Sequence, residues 1–221
     1  MSVAAVIPIK TNNQRLPGKN TKILHDKPLL DYLFETVKHC ELVDEIFVDS
    51  SDDYILELAL KNKFTPIKRS VELNSPSTSG NDLLNFELQT IEHDIISQLF
   101  VTLPFLKAET IDRSIKTLIE SDESDSILAL YEVYDRFWFD SGDGFLVPVN
   151  HDQNNLLGTQ YMSPIYRESG FYTFRRDAFL REQKRVTSNF EEIIVSADEC
   201  IDIDTEQDFI YAEAYAKHKE I

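Results

Sequence analysis

Short apolar runs that alternate with amphipathic segments set the tightest limit on how this chain can fold. Residues 3–9 are apolar throughout, as in a strand buried on both faces. A helical stripe starts at Pro28, with Leu29, Leu33, Val37 and Cys40 in step. Residues 45–49 read as a second strand. Asp52 and Asp53 then suit a helix N-terminus, where carboxylates meet the positive end of the dipole, and Ile55, Leu56, Ala59 and Leu60 supply that helix's apolar face. The same periodicities predict a helix over 81–96, a strand over 99–103, a helix over 109–121 and a strand over 126–133. Residues 134–164 break the pattern. They are rich in Asp, Gly, Asn and aromatics and read as inserted hairpins and loops. Regularity returns with a strand over 170–174, a helix over 176–183, a short strand over 200–204 and a closing helix over 205–218. The expectation is one α/β domain over 1–221, with a mostly parallel sheet and helices on both faces. In such sheets ligands sit beyond the carboxyl ends of the strands.

Charge narrows the function. Among 221 residues, 39 acids face 22 bases, a formal charge of −17. That argues against nucleic-acid or anionic-membrane binding, which want clustered Lys and Arg. An anionic substrate would need local cations or a metal to work against this field. The two cysteines, Cys40 and Cys200, read as free thiols. The apolar opening lacks a basic leader and stops at Lys10, and no run approaches a membrane span. The expectation is a soluble cytoplasmic protein.

The first strand ends in a loop carrying Lys10, Arg15 and Lys19. Three cations there suit a polyphosphate, and the loop's N–H groups could add to the cradle. A solvated basic loop with a Pro17-Gly18 turn explains the same residues. The loop has no Walker spacing. The second feature is Asp202-Ile203-Asp204-Thr205. In an extended segment both carboxylates share one face, where they could hold one Mg²⁺. Equally, Asp204 or Thr205 could cap the closing helix. Arg69 closes a short apolar stretch ahead of a Ser/Pro-rich loop; it suits a base or phosphate contact or an ordinary surface position. The five histidines are dispersed and no zinc site is assigned.

These segments, in order, resemble the CMP-sialic acid synthetase (acylneuraminate cytidylyltransferase) family. Ile7-Pro8-Ile9-Lys10 through Pro17-Gly18-Lys19-Asn20 is similar to its I-P-A-R … P-x-K-N opening. Lys27-Pro28-Leu29-Leu30 resembles G-K-P-L-I, and Val48-Asp49-Ser50-Ser51-Asp52-Asp53 resembles V-S-T-D-D. Thr102-Leu103-Pro104-Phe105 resembles T-S-P-L. Gln160, Tyr166 and Gly170-Phe171-Tyr172 fall where the family has Q-D-L-P … Y … N-G-x-Y, and Asp202 to Asp208 is similar to D-I-D-T-x-x-D.

The resemblance implies a Rossmann-like domain, a homodimer joined through the inserted segment 134–164, and Mg²⁺-dependent transfer of CMP from CTP to an acidic keto-sugar. By that resemblance Asp202 and Asp204 bind the metal. Arg15, Lys19 and Asp204 act in catalysis, and Lys10, Asn13, Arg15, Lys19, Asn20 and Arg69 bind nucleotide. Phe100, Thr102, Gln160, Tyr166 and Tyr172 line the sugar side, with Lys107 or Arg167 as the cation for its carboxylate. Several positions depart from the family. Lys10 replaces an arginine, Phe100 a glutamine, Leu103 a serine and Pro76 an aspartate. Gln14 and Thr159 stand where many sialic acid enzymes carry lysine and arginine. Arg15 is closer to the loop of the Kdo cytidylyltransferases. Apolar Phe100 and Leu103 lean toward a pseudaminic- or legionaminic-type acid. The alternatives are a non-catalytic nucleotide- or sugar-binding relative, a transferase for another sugar such as Kdo, and a protein-interaction module.

Overall fold

In the computed structural model, which describes residues 1–219, the first apolar run forms β1 (Val3–Pro8), buried along its whole length. A small hairpin of β2 (Ile23–Leu24) and β3 (Lys27–Pro28) leads into α1 (Leu29–Lys38). The alternation continues through β4 (Glu45–Ser50), α2 (Asp53–Lys61), β5 (Thr65–Lys68), α3 (Gly80–Glu87) and β6 (Ile95–Gln98). After α4 (Ala108–Glu120) and β7 (Ser126–Val133) comes a hairpin of β8 (Trp138–Asp140) and β9 (Leu146–Pro148). The chain ends in β10 (Ile165–Arg175), α5 (Arg176–Glu182), β11 (Phe190–Ile194) and α6 (Glu206–Lys219). Local chemistry fixes the helix starts. Asp52 accepts from the Tyr54 N–H at 2.9 Å, and Ser79 with Asp82 closes a capping box on α3.

Seven strands form one sheet in the order β11-β7-β10-β6-β1-β4-β5. All neighbours are parallel except β10, which runs antiparallel to both β6 and β7. Alternate residues of β1 feed two cores. Val3, Ala5 and Ile7 pack with α1, α2 and α4, whereas Ala4 and Val6 pack with α3 and α5. A third cluster ties Leu16 and Ile203 to the starts of α1 and α6. The carboxyl ends of β1, β4 and β6 thus open on one side of the sheet.

Three element expectations are corrected. The helix expected over 81–96 ends at Glu87, because Ile95 and Ile96 pair with β1 instead of extending the helical stripe. The strand expected over 99–103 lies at Ile95–Gln98; residues Leu99, Val101 and Leu103 are buried in a turn closed by the Leu103 N–H on the Phe100 carbonyl. Residues 200–204 form no strand. A single backbone bond, Ile203 N–H to the Thr102 carbonyl, pins them across the cleft. Two edge strands carried no clean strand signal: β5 is only Thr-Pro-Ile-Lys, and in β11 two glutamates separate Phe190 from Ile193 and Ile194.

Residues 134–164 project as an exposed arm. Trp138, Phe139, Phe145, Leu146 and Tyr161 all face solvent there. The arm hangs from β10, whose pairing with β7 shifts register between Glu168 and Tyr172. Gly170 occupies that break at φ 94°, a conformation that L side chains rarely adopt. Both cysteines are free, and burial pushes the Cys40 thiol up to about 12 and the Cys200 thiol up to about 11. No helix among the described residues is long and apolar enough to cross a membrane.

Candidate active site

The loop after β1 is tied into a fixed shape by its own asparagines. Asn20 donates to the Lys10 carbonyl at 2.7 Å and Asn13 to the same oxygen at 3.1 Å. Asn12 reaches across to the Asn74 carbonyl at 2.9 Å. Gly18, at φ 68°, turns the chain into the short 3₁₀ helix that carries Lys19 and Asn20. Lys10 donates to the Thr78 carbonyl at 3.3 Å. Burial, then the nearby Arg69 charge, lower its ammonium pKa.

Opposite the loop stands the acidic pair. Asp204 receives Arg15 Nη2 at 2.8 Å and Lys19 Nζ at 3.1 Å. Lys19 also donates to the Ile203 carbonyl at 2.6 Å and is buried by its position. Ile203 is fully buried, whereas Asp202 and Asp204 on either side of it are half-buried. Burial raises the Asp202 carboxyl pKa. A Thr102 hydrogen bond opposes that, and the neighbouring Asp204 charge adds to it. The Asp202 Oδ1 is buried and lacks a hydrogen-bond partner. Among the described residues no cluster of three or more His, Cys, Asp or Glu side chains exists. A two-carboxylate set with an unused buried oxygen fits Mg²⁺, which takes few protein ligands and completes its shell with water and phosphate oxygens. Thr205 caps the closing helix, as one of the two sequence readings had it: its Oγ1 accepts from the Asp208 N–H at 3.3 Å, and Asp208 accepts in return from the N–H groups of Thr205 and Asp204.

Two cavities of 340 and 310 Å³ share Lys10, Asn13 and Lys19. The first adds Arg15, Asn74 and Asp204; the second adds Asn20, Thr78, Phe100 and Thr102. Tyr172 stands beside the second, and burial pushes its phenol up to about 12 while it donates to Glu168 at 2.8 Å.

Four expected site residues are placed otherwise. Arg69 is not open to a ligand. Its side chain is fully buried, bonded to Asp49 Oδ1 at 3.1 Å and to the carbonyls of Ile9 and Asp49 at 3.1 and 2.8 Å. It props the start of the loop from below. Gln160 lies exposed on the arm and Tyr166 exposed on β10, on the arm side of the Gly170 break, and neither lines either cavity. Lys107, a candidate for the sugar carboxylate, pairs instead with Asp198 and Glu199.

Sequence reasoning missed Asp49, Glu87 and Arg185. Glu87 is buried on α3 beside Arg69 and Asp49. Burial, and then the Asp49 charge, raise it well above the usual carboxylate range. Neither Glu87 oxygen meets a donor, and Asp49 Oδ2 likewise has none. A charged residue between Leu84 and Leu88 on an apolar helix face was the available signal.

The sequence model of the cytidylyltransferase family matches residues 4–137, more than half of the chain. The chain belongs to the cytidylyltransferase family. Among cytidylyltransferase relatives, the CMP-N,N'-diacetyllegionaminic acid synthase of Legionella pneumophila is 28% identical, over 96% of this chain and 95% of its own. The N-acylneuraminate cytidylyltransferase of Streptococcus agalactiae is 24% identical over 96% of this chain. This chain spans 52% of that streptococcal relative. The fold matches a CMP:2-keto-3-deoxy-manno-octonic acid synthetase solved with CTP, at TM-score 0.75 and 15% identity, covering 99% of this chain and 100% of that one. The nucleotidyltransferase form of the Rossmann-like α/β fold is thereby established.

Proposed function

We propose that this protein transfers CMP from CTP to the anomeric hydroxyl of an acidic keto-sugar and releases pyrophosphate. The observation that carries the reading is the meeting of three loop cations, Lys10, Arg15 and Lys19, with Asp204 in one cavity at the carboxyl end of β1. The attacking hydroxyl forms a bond to the α-phosphorus as the bond to pyrophosphate breaks. Such a transfer asks mainly for positioning and charge balance. Arg15 and Lys19 are suited to exchange Asp204 for phosphate oxygens, Arg15 through a planar two-donor fork. Lys10 adds charge without that fork. Asn13 and Asn20 act through the Lys10 carbonyl, fixing where the loop's N–H groups point. Asp202 and Asp204 would hold Mg²⁺, which when bound neutralises charge on the phosphate oxygens. Phe100 gives the second cavity an apolar surface, with Thr102 on its wall and Tyr172 beside it, in keeping with a less polar acidic sugar such as a legionaminic-type acid. The exposed apolar arm supports a homodimer joined through residues 134–164.

The test is pyrophosphate release with CTP and Mg²⁺ across a panel of keto-acid sugars, beside Asp204→Asn. Turnover of one sugar, lost in the variant, supports the reading. CTP binding without turnover of any sugar would favour a non-catalytic relative.

A further inference from the structure

One cation in the cleft belongs to neither the phosphate loop nor its acidic partners. Arg185 lies in the polar connection between α5 and β11 and reaches back over the sheet to line the second cavity. Its guanidinium carbon stands 3.8 Å from the centroid of the Tyr172 ring and 5.9 Å from that of Phe100. Nη1 donates to Gln98 Oε1 at 3.0 Å. On the far side the same nitrogen abuts Gly80 so closely that a Cβ there would lie 2.4 Å from it. Aromatic faces, an amide and a glycine therefore hold one flat, half-buried cation in place.

Its charge meets no carboxylate among the described residues. Arg181, at the end of α5, and Lys184, on the same connection as Arg185, each pair with a carboxylate. Arg185 has none within 4.0 Å among the described residues. In a chain with a formal charge of −17, acids to pair with are plentiful. A half-buried guanidinium left without one is suited to an anion that arrives with a ligand. The phosphate loop is an unsuitable source of that anion. Arg15 and Asp204 line only the first cavity, and Arg185 only the second. Of the two cations first considered for the acceptor, Lys107 is paired outside the cleft, and Arg167 lines neither cavity.

We propose that Arg185 receives the carboxylate of the acidic keto-sugar and fixes the acceptor against Tyr172 and Phe100. The inference rests on the transfer reaction proposed above. The guanidinium offers two parallel donors to a planar carboxylate, so it selects keto-acids over neutral sugars and sets the ring's orientation. Gln98 and Gly80 are then positioning residues, the first by a hydrogen bond and the second by leaving room.

Arg185→Met and Arg185→Lys test this in steady-state assays. The probes are N-acetylneuraminate, diacetyllegionaminate, pseudaminate and Kdo, and the methyl ester of whichever is turned over. The expected result for Arg185→Met is a sugar KM raised about 10- to 100-fold, with the CTP KM unmoved. Arg185→Lys recovers part of that loss, since it keeps the charge without the fork. The wild type should prefer acid to ester, and Arg185→Met should lose the preference. An unchanged sugar KM in Arg185→Met overturns the assignment, as does a CTP KM that rises in step. The unmoved CTP KM also shows that the variant is folded. If the wild type turns over none of the acids, the transfer reaction itself fails and this assignment falls with it.

Discussion

Two clusters of acids and bases flank the strand end at Ile9 and Lys10, and they are built in opposite ways. Below the loop, Arg69, Asp49 and Glu87 are sealed from water, with both members of the Arg69–Asp49 pair at 0% side-chain exposure. Above it, Arg15 is 66% exposed and Asp204 35% exposed, joined at 2.8 Å. In the sealed cluster each charge has nowhere else to go, so the contacts are permanent and fix backbone. In the open cluster water and ions compete for every contact, so the partners can be traded. The same residue types thus build a fixed support on one side and an exchangeable ligand shell on the other.

The sharpest way to break this contrast is Arg69→Met. It leaves Asp49 buried without its partner, and should cost about 3–5 kcal/mol of stability, read from urea unfolding. A loss under about 1 kcal/mol would put Arg69 with the surface pairs. Next is Asp204→Asn in the open cluster, expected to lower kcat by about 10²- to 10³-fold while the unfolding midpoint stays put. A variant as unstable as Arg69→Met would erase the distinction. Arg15→Lys keeps charge but loses the fork; about a 10-fold fall in kcat/KM for CTP is expected.

The smallest effect sharpens the sealed side. Glu87 has a folded pKa above its unfolded value, so folding takes up a proton there. Its contribution to stability is complete below the unfolded pKa and is lost as pH rises through the folded one. Glu87→Gln keeps a donor to Asp49 and removes that titration. Stability near pH 5 should change by less than about 1 kcal/mol, and its decline toward alkaline pH should flatten. An unaltered pH slope would show that Glu87 is already ionised in the native protein.

The sequence made the open cluster legible and hid the sealed one. Lys10, Arg15, Lys19, Asp202 and Asp204 stand out as charges at a strand end and in alternating positions; a solvated loop and a helix cap explain them as well, and the ordered family resemblance chooses between the readings. Arg69 was visible as a cation, but only three dimensions show it turned under the loop to meet Asp49. Glu87 sits in a helical stripe whose period it does not disturb. Arg185 lies in a polar connection with no pattern at all; its meaning comes from Tyr172 and Gln98, 13 and 87 positions away in sequence. The helix and strand misplaced over 81–103 fail for a related reason. Ile91, Ile95, Leu99 and Leu103 continue a helical spacing through a turn, a strand and another turn, and only the β1 pairing decides among them.

The break at Gly170 has a consequence for how such a protein changes over generations. Val133 and Ile165 face each other across one antiparallel ladder, so the arm departs and returns through a doorway one strand spacing wide. Lengthening or shortening what lies beyond that doorway alters loop-closure entropy only logarithmically. The arm's length and apolar surface are thus free to drift with whatever partner they meet, while Tyr172, on the core side of the glycine, keeps its register with Gln98.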